Sequence, residues 1–148
     1  MPKSLLVILS ILALASPLAA ADLKGTWKLN SEKSKLVAEY ASDIITIVQI
    51  GPLSYRMIYD VVSKGGEKFH SEVVRIFDGK SRPVQGSDGI SEINDHPDDM
   101  TWRSRRIKDG KVIDERSAVV NGPTQTVHRT TLGDSGQMVA EVLVFEMQ

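Results

Sequence analysis

Glycine-containing turn signals recur along this 148-residue chain and separate short stretches in which apolar and polar residues alternate. The clearest signals are the Asp-Gly and Asn-Gly pairs at 78–79, 109–110 and 121–122. Such pairs favour hairpin turns, because both central residues of a type I′ turn need a positive φ. Turns about every 8–12 residues between alternating segments are typical of a β-sandwich or a β-barrel. The pattern therefore predicts an all-β fold built from consecutive hairpins.

The final segment, MVAEVLVFEM at 138–147, decides between an open sheet and a closed one. It is apolar on both faces apart from Glu141 and Glu146, and such a strand at an open edge would promote aggregation. Pairing it with the first strand would remove that edge. We therefore predict a single antiparallel up-and-down β-barrel of about eight or nine strands over residues 22–148, with a two-sheet sandwich as the alternative.

Two stretches depart from the alternating pattern. Residues 31–42 (SEKSKLVAEYAS) begin with Ser31 and several charged residues, which is compatible with a short helix or an irregular loop. Residues 81–94 (SRPVQGSDGISEIN) are rich in glycine and are predicted to be irregular.

The N-terminal segment has the order of a secretory signal peptide, which we assign to residues 1–21. A lone lysine precedes an apolar run from Leu5 to Ala15, and Ala19 and Ala21 fill the small-residue positions of a cleavage site. The run is shorter than the about 20 apolar residues that a transmembrane helix needs. The leader predicts cleavage after Ala21, a periplasmic or secreted location, and no stable membrane insertion afterwards.

Composition excludes several classes of function. The chain has no cysteine, so disulfides, thiol nucleophiles and thiolate metal sites are absent. The formal net charge is −1, with mixed signs, which argues against general attraction to nucleic acid. The domain must therefore be stable through packing and backbone pairing alone. No pattern indicates an oligomeric state.

An indole stands near the start of the first predicted strand, in the triplet Gly25-Thr26-Trp27. Tryptophan is large enough to fill much of the base of a small barrel. A glycine shortly before it lets the backbone bend and approach its neighbours closely. We predict that Gly25 and Trp27 form a structural plug at one end of the barrel.

This triplet, directly after a signal peptide and in a hairpin meander of this length, resembles the calycin superfamily of lipocalins and fatty-acid-binding proteins. More narrowly, "GTWKLNSEKSK", "DGK", "TWRSRRIKDGKV" and the terminal "VFEMQ" resemble exported bacterial lipocalin-like domain proteins of unassigned function. The resemblance implies a barrel that holds a small ligand.

Two features depart from the superfamily. Lipocalins usually stack a late arginine on the tryptophan, and only Arg129, one strand before the last, is available here. Fatty-acid-binding proteins carry a late Arg-x-Tyr pair for the ligand carboxylate, and no tyrosine follows Tyr59 in this chain.

Candidate ligand-binding residues are basic or aromatic side chains that alternation can turn inward. Trp102 and Arg106 share a face, and an inward arginine would suit an anionic group. Alternatively, Arg106 lies at a strand end and reaches solvent through its long stem. Arg75 and Arg116 stand on mixed faces. The complete candidate set is Tyr55, Tyr59, Arg75, Trp102, Arg106, Arg116 and His128.

No catalytic site, metal site or cofactor is predicted. The sequence has no Gly-x-Ser-x-Gly elbow and no phosphate-binding glycine pattern. The acidic segment NDHPDD at 94–99 lacks the EF-hand pattern and contains Pro97, so a solvated turn is favoured over a calcium site.

The first functional hypothesis is an exported, non-enzymatic protein that holds a small, largely apolar or amphipathic ligand inside the barrel. The alternative is an envelope protein-interaction or structural module with a filled barrel core, which would use the face of Arg103 and Arg105 or the acidic segment. An enzyme ranks third, because no catalytic constellation is recognisable.

Overall fold

Each alternating segment of the sequence forms a strand, and within residues 22–148 of the computed structural model ten strands pair into one antiparallel sheet. The structure describes residues 22–148, so the predicted signal peptide lies outside the described residues. In chain order the strands are β1 (Gly25–Leu29), β2 (Tyr40–Gly51), β3 (Ser54–Ser63), β4 (Lys68–Ile76), β5 (Ser81–Pro83), β6 (Ile90–Asp98), β7 (Thr101–Lys108), β8 (Lys111–Asn121), β9 (Thr124–Leu132) and β10 (Met138–Met147).

The first and last strands pair with each other, as predicted. The order across the sheet is β4-β3-β2-β1-β10-β9-β8-β7-β6-β5, so β1 lies between β2 and β10. The register places Trp27 opposite Met147 and Leu29 opposite Phe145. Because all ten strands belong to one sheet, the sandwich alternative is wrong.

The prediction of eight or nine strands is wrong, since the sheet has ten. The stretch at 81–94 that was predicted to be irregular contains β5 and the first part of β6. A three-residue strand such as β5 is too short for a period-two pattern to reveal. The acidic segment is likewise not a simple turn, because most of it belongs to β6.

The curled sheet is not the fully closed cylinder that the sequence predicted. Strands β4 and β5 are the two edges of the sheet and do not pair with each other. The connection between them is a tight turn in which Arg82 donates from both Nη atoms to the Asp78 carboxylate, each at 2.8 Å. Strand β5 ends at Pro83, which lacks a backbone N–H for further pairing.

The gap between the edges is bridged by a few polar contacts from β4 and the following turn to β6. The Gly79 N–H donates to the Asn94 carbonyl at 2.9 Å, and Arg75 Nε donates to Glu92 Oε1 at 3.1 Å. The strands therefore form a half-barrel whose seam is held largely by side chains rather than by a β ladder.

One half of the interior, the base, is filled by apolar side chains around Trp27. Trp27 is fully buried, and its Nε1 donates to the Leu23 carbonyl at 3.0 Å. Gly25 has a φ of +132°, which side-chain-bearing residues rarely adopt, and a Cβ there would stand 3.4 Å from Met147 Cε. Trp27 thus lies in the packed base, at the place where the sequence predicts a plug. The buried cluster comprises Leu23, Trp27, Ile45, Ile47, Tyr55, Met57, Phe77, Trp102, Ala118, Val120, Val127, Leu143 and Phe145.

The other end of the half-barrel, the mouth, is bordered by the connection between β1 and β2. This segment, 30–39, forms a loop rather than a helix and is fastened to β10. Lys35 exchanges two backbone hydrogen bonds with Val142, at 2.7 and 2.9 Å. Glu141 Oε1 accepts from the N–H groups of Val37 and Ala38 at 2.9 and 3.2 Å. Within residues 22–148, no helix has the length and apolar character needed to cross a membrane.

Replacing the indole tests the plug. Trp27→Ala should lower the free energy of unfolding by about 3–5 kcal/mol, because it leaves a large cavity in a packed base. Trp27→Phe should cost less, since a ring remains and only part of the volume and the Nε1 hydrogen bond are lost. Urea unfolding followed by circular dichroism measures both, and an alanine loss below about 1 kcal/mol would contradict the assigned role.

Candidate functional site

The interior changes from apolar to charged on passing from the base to the mouth. Between the packed base and the mouth lies a void of only about 30 Å³, which reaches up to Arg75 and Arg116. The mouth half holds a cavity of about 270 Å³, which we call the mouth cavity. Its lining residues are Tyr40, Asp43, Tyr59, Val61, Ser71, Arg75, Glu92, Ser104, Arg106, Asp114, Arg116 and Arg129.

Single strands supply both halves of the interior. In β2, Asp43, Ile45 and Ile47 are buried on one face, with the acid toward the mouth and the aliphatic residues toward the base. In β8, Arg116 precedes Ala118 in the same way. Because side chains in a strand alternate between faces, residues two apart line the same interior at different depths.

Glu92 joins two arginines of the mouth cavity. Its Oε1 accepts from Arg75 Nε and its Oε2 from Arg106 Nε, each at 3.1 Å, and Asn94 Nδ2 donates to Oε1 at 3.0 Å. Burial raises the pKa of Glu92, but Arg75 and the other donors outweigh burial and hold that pKa below its usual value. Glu92 therefore remains ionised and serves both guanidinium groups.

Asp114 is likewise engaged inside the cavity. It accepts from Thr131 Oγ1 at 2.9 Å and from Arg129 Nη2 at 3.3 Å. Arg129, which the sequence offered as a partner for Trp27, thus lies at the mouth with Asp114 and not at the base.

The Tyr59 hydroxyl group contacts two arginines, Arg75 and Arg116. Its oxygen accepts from Arg75 Nη1 at 2.7 Å and from Arg116 Nη1 at 3.4 Å. The Arg116 guanidinium carbon also lies 5.6 Å from the centre of the Tyr59 ring. Burial raises the pKa of Tyr59, but the two guanidinium groups lower it further than burial raises it, so the net shift is downward.

Arg116 differs from the other cavity arginines in its partners. Arg75, Arg106 and Arg129 each form a salt bridge with a carboxylate. Arg116 forms none with any residue in 22–148, and its side-chain contact is the Tyr59 phenol. A guanidinium group held in place but not neutralised is suited to bind an anion through two parallel hydrogen bonds.

Asp43 is the acidic counterpart of Arg116. It is only 8% exposed, and its Oδ1 has no hydrogen-bond partner among the described residues. Burial raises the pKa of Asp43 to about 6, partly offset by the charges of Arg116 and Arg129. Among the described residues, the cavity therefore contains one cation without a carboxylate partner and one acid without a hydrogen-bond donor.

Four of the candidate residues from the sequence line the mouth cavity: Tyr59, Arg75, Arg106 and Arg116. Two others belong to the packed base, where the Tyr55 and Trp102 ring centres lie 5.1 Å apart, edge to face. The prediction that His128 lines the cavity is wrong, because His128 is exposed on the outer face of β9. Its neighbours in sequence, Val127 and Arg129, are the residues that turn inward.

Sequence reasoning missed the acids of the cavity, namely Asp43, Glu92 and Asp114. A signal for Asp43 was present, because it alternates with Ile45 and Ile47 in DIITI and must share their inward face. Glu92 lies in the stretch that was predicted to be irregular, so no alternation argument was applied to it.

One acid of the acidic segment, Asp95, pairs with the basic face beside it. Asp95 accepts from Arg103 at 2.6 and 2.9 Å and from Arg105 at 3.2 Å. His96 stacks on Trp102, with ring centres 3.8 Å apart. Across the described chain, 22–148, no group of three or more His, Cys, Asp or Glu side chains is placed to hold a metal ion.

Comparisons with known proteins identify the fold. No family model matches the chain, and no curated protein matches it in sequence. The fluorescent protein UnaG is similar in structure, with a TM-score of 0.62, 14% identity, and coverage of 85% of this chain and 97% of that one. A Schistosoma mansoni fatty-acid-binding protein in complex with arachidonic acid has a TM-score of 0.61 at 14% identity, covering 88% and 98%. A secretory abundant heat-soluble protein from Ramazzottius varieornatus has a TM-score of 0.58 at 10% identity, covering 85% and 95%.

These likenesses show that the chain has the calycin fold in its fatty-acid-binding-protein-like form, as the Gly-x-Trp element suggested. At such low identities they show the fold alone.

Asp43→Asn should stabilise the protein in a pH-dependent way. The folded pKa of about 6 lies above the reference value of 3.8, so ionisation of Asp43 opposes folding. The penalty is absent below the lower value, develops between the two, and is complete above about 6. The variant should therefore gain on the order of 2 kcal/mol at roughly pH 8 and little at roughly pH 4.

Urea unfolding at both pH values measures this gain. Asp99→Asn, an exposed change of the same kind in the turn between β6 and β7, should show no such difference. Equal stabilisation of the Asp43 variant at both pH values would contradict the explanation.

Proposed function

We propose that this chain is an exported, non-enzymatic binding protein for a small amphipathic anion, whose acidic group binds Arg116 in the mouth cavity. The observation that carries the proposal is the state of Arg116, which is inside the cavity and has no carboxylate partner among residues 22–148. A ligand carboxylate would supply that partner.

The charge balance of the cavity supports an anionic ligand. Four arginines line it, against the three acids Asp43, Glu92 and Asp114. One positive charge is therefore in excess when all the acids are ionised, and the excess grows when Asp43 is protonated. In a recess partly shielded from water, such an excess attracts an anion more strongly than it would on an open surface.

The apolar part of the ligand is best accommodated near the mouth. The packed base offers about 30 Å³, which is far too little for an acyl chain. A shallower groove of about 230 Å³ lies beside the mouth cavity and includes Val37, Ala38 and Val139. Tyr40 and Arg129 border both spaces, so one molecule could occupy the two together.

This arrangement revises the ligand expected from the sequence. A largely apolar ligand inside the barrel would need apolar room there, and the room is lined mainly by charged and polar groups. The similar fatty-acid-binding protein was solved with arachidonic acid, which combines a carboxylate with an apolar chain. That likeness supports an amphipathic ligand, and the cavity supports the anionic character of its polar end.

The proposal keeps the location and family that the sequence predicted. The leader at 1–21 supports export to a periplasm or beyond. The "GTWKLNSEKSK" and "TWRSRRIKDGKV" motifs support membership in the exported bacterial lipocalin-like proteins.

The alternative, a protein-interaction module, has less support. The basic face that suggested it is paired internally, since Arg103 and Arg105 both contact Asp95. Charges that are already paired within one chain offer less to a partner.

Octanoate and octan-1-ol form a probe pair that isolates the anionic group. We expect calorimetric titration to show that octanoate binds the mature protein more tightly than the alcohol does. Arg116→Met keeps the stem and removes the charge, so it should weaken octanoate binding by about tenfold or more, because a charge-assisted hydrogen bond contributes about 1.5–3 kcal/mol.

Arg56→Met is the matched control. Arg56 lies on the outer face of β3 and pairs with Glu72, so its removal should leave octanoate binding unchanged. Failure of octanoate to bind, or equal binding to the Arg116 variant, would refute the proposal. Native mass spectrometry of protein purified from its host should show a small organic acid bound.

A further inference from the structure

Asp43 differs from the other two acids of the mouth cavity, because no arginine within residues 22–148 pairs with it. It is 8% exposed and its Oδ1 has no hydrogen-bond donor within 22–148, whereas Glu92 and Asp114 are both engaged by arginines. Native proteins rarely leave a buried carboxylate oxygen unsatisfied, and each such case needs an explanation. A carboxylate also repels the very anion that Arg116 attracts.

We propose that the polar end of the ligand carries a hydrogen-bond donor beside its acidic group, and that this donor binds Asp43 Oδ1 while the acidic group binds Arg116. The ligand class is therefore a hydroxy acid or an N-acyl amino acid rather than a simple fatty acid. This inference rests on the proposed function, since it concerns the same site.

None of the groups that line the mouth cavity with Asp43 donates a hydrogen bond to it, so we assign that donor to the ligand. Tyr40 shares the strand of Asp43, Tyr59 and Val61 come from β3, Asp114 and Arg116 from β8, and Arg129 from β9. Arg129 is held by Asp114, and Arg116 contacts the Tyr59 phenol. Neither arginine donates to Asp43.

Arg116 and Asp43 recognise complementary parts of one molecule. Arg116 offers N–H donors and a positive charge, and Asp43 offers an acceptor and a negative charge. A ligand with a carboxylate alone would satisfy the first and be opposed by the second. A ligand with a nearby O–H or N–H would satisfy both, and sites with unpaired polar groups reject analogues that lack the matching group.

A matched panel of acids tests the inference. The probes are octanoate, octanoate with a hydroxyl group on the second or the third carbon, and N-pentanoylglycine, whose chain has the same number of atoms. We expect at least one donor-bearing probe to bind the mature protein about tenfold more tightly than octanoate in calorimetric titration at neutral pH.

Asp43→Asn gives a signature that misfolding cannot produce. It removes the charged acceptor, so the donor-bearing probe should bind several-fold more weakly. It also removes the like charge, so plain octanoate should bind more tightly. The two affinities thus move in opposite directions. Asp99→Asn, exposed at the base end, should change neither.

The outcomes separate the inference from the proposed function. If octanoate binds through Arg116 and no donor-bearing probe is preferred, the inference fails and the proposed function stands. If a preference exists but survives in the Asp43 variant, the role assigned to Asp43 is wrong. If none of the acids binds, both proposals fail.

Discussion

The pairing of β1 with β10 is the interaction on which the rest of the structure depends. Nearly every other strand neighbour is joined by a local hairpin, but this contact brings together residues near the two ends of the described chain. It turns a meander with two exposed faces into a curled sheet with an inside and an outside. Trp27 reinforces the contact, because the indole fills the base next to the pairing, and Gly25 supplies the backbone conformation that the bend requires.

The charged residues that bridge the seam between β4 and β6 also line the mouth cavity. Arg75 Nε donates across the seam to Glu92, and Arg75 Nη1 donates to the Tyr59 hydroxyl inside the mouth cavity. A partly buried ion pair is not a strong source of stability in itself, because removing two charges from water is costly. Its value here is geometric, since it fixes one arginine and one acid in place, while Arg116 has no carboxylate partner within residues 22–148.

The depth of the interior determines what it can hold. Apolar side chains fill the base to near completion, so the larger of the two interior spaces begins where the inward faces become charged. The change from apolar to charged side chains along single strands explains why the mouth cavity has a polar lining. The charged lining of the mouth cavity is the basis of the proposal of an anionic ligand whose tail lies near the mouth.

Alternation and turn residues in the sequence determined the all-β meander, the plug at Trp27 and the need to pair the last strand, because each follows from local periodicity or from one strand's own hydrophobicity. Only the tertiary structure showed that β4 and β5 do not pair with each other. A three-residue strand such as β5 is too short to give a recognisable alternation in the sequence. The tertiary structure also decided which charges meet. Arg116 and Tyr59 are 57 positions apart, and whether Arg116 has a carboxylate partner depends on curvature that no local pattern encodes. Side chains alternate along β9, so Arg129 points inward and His128 outward. A register shift of one residue would exchange the two.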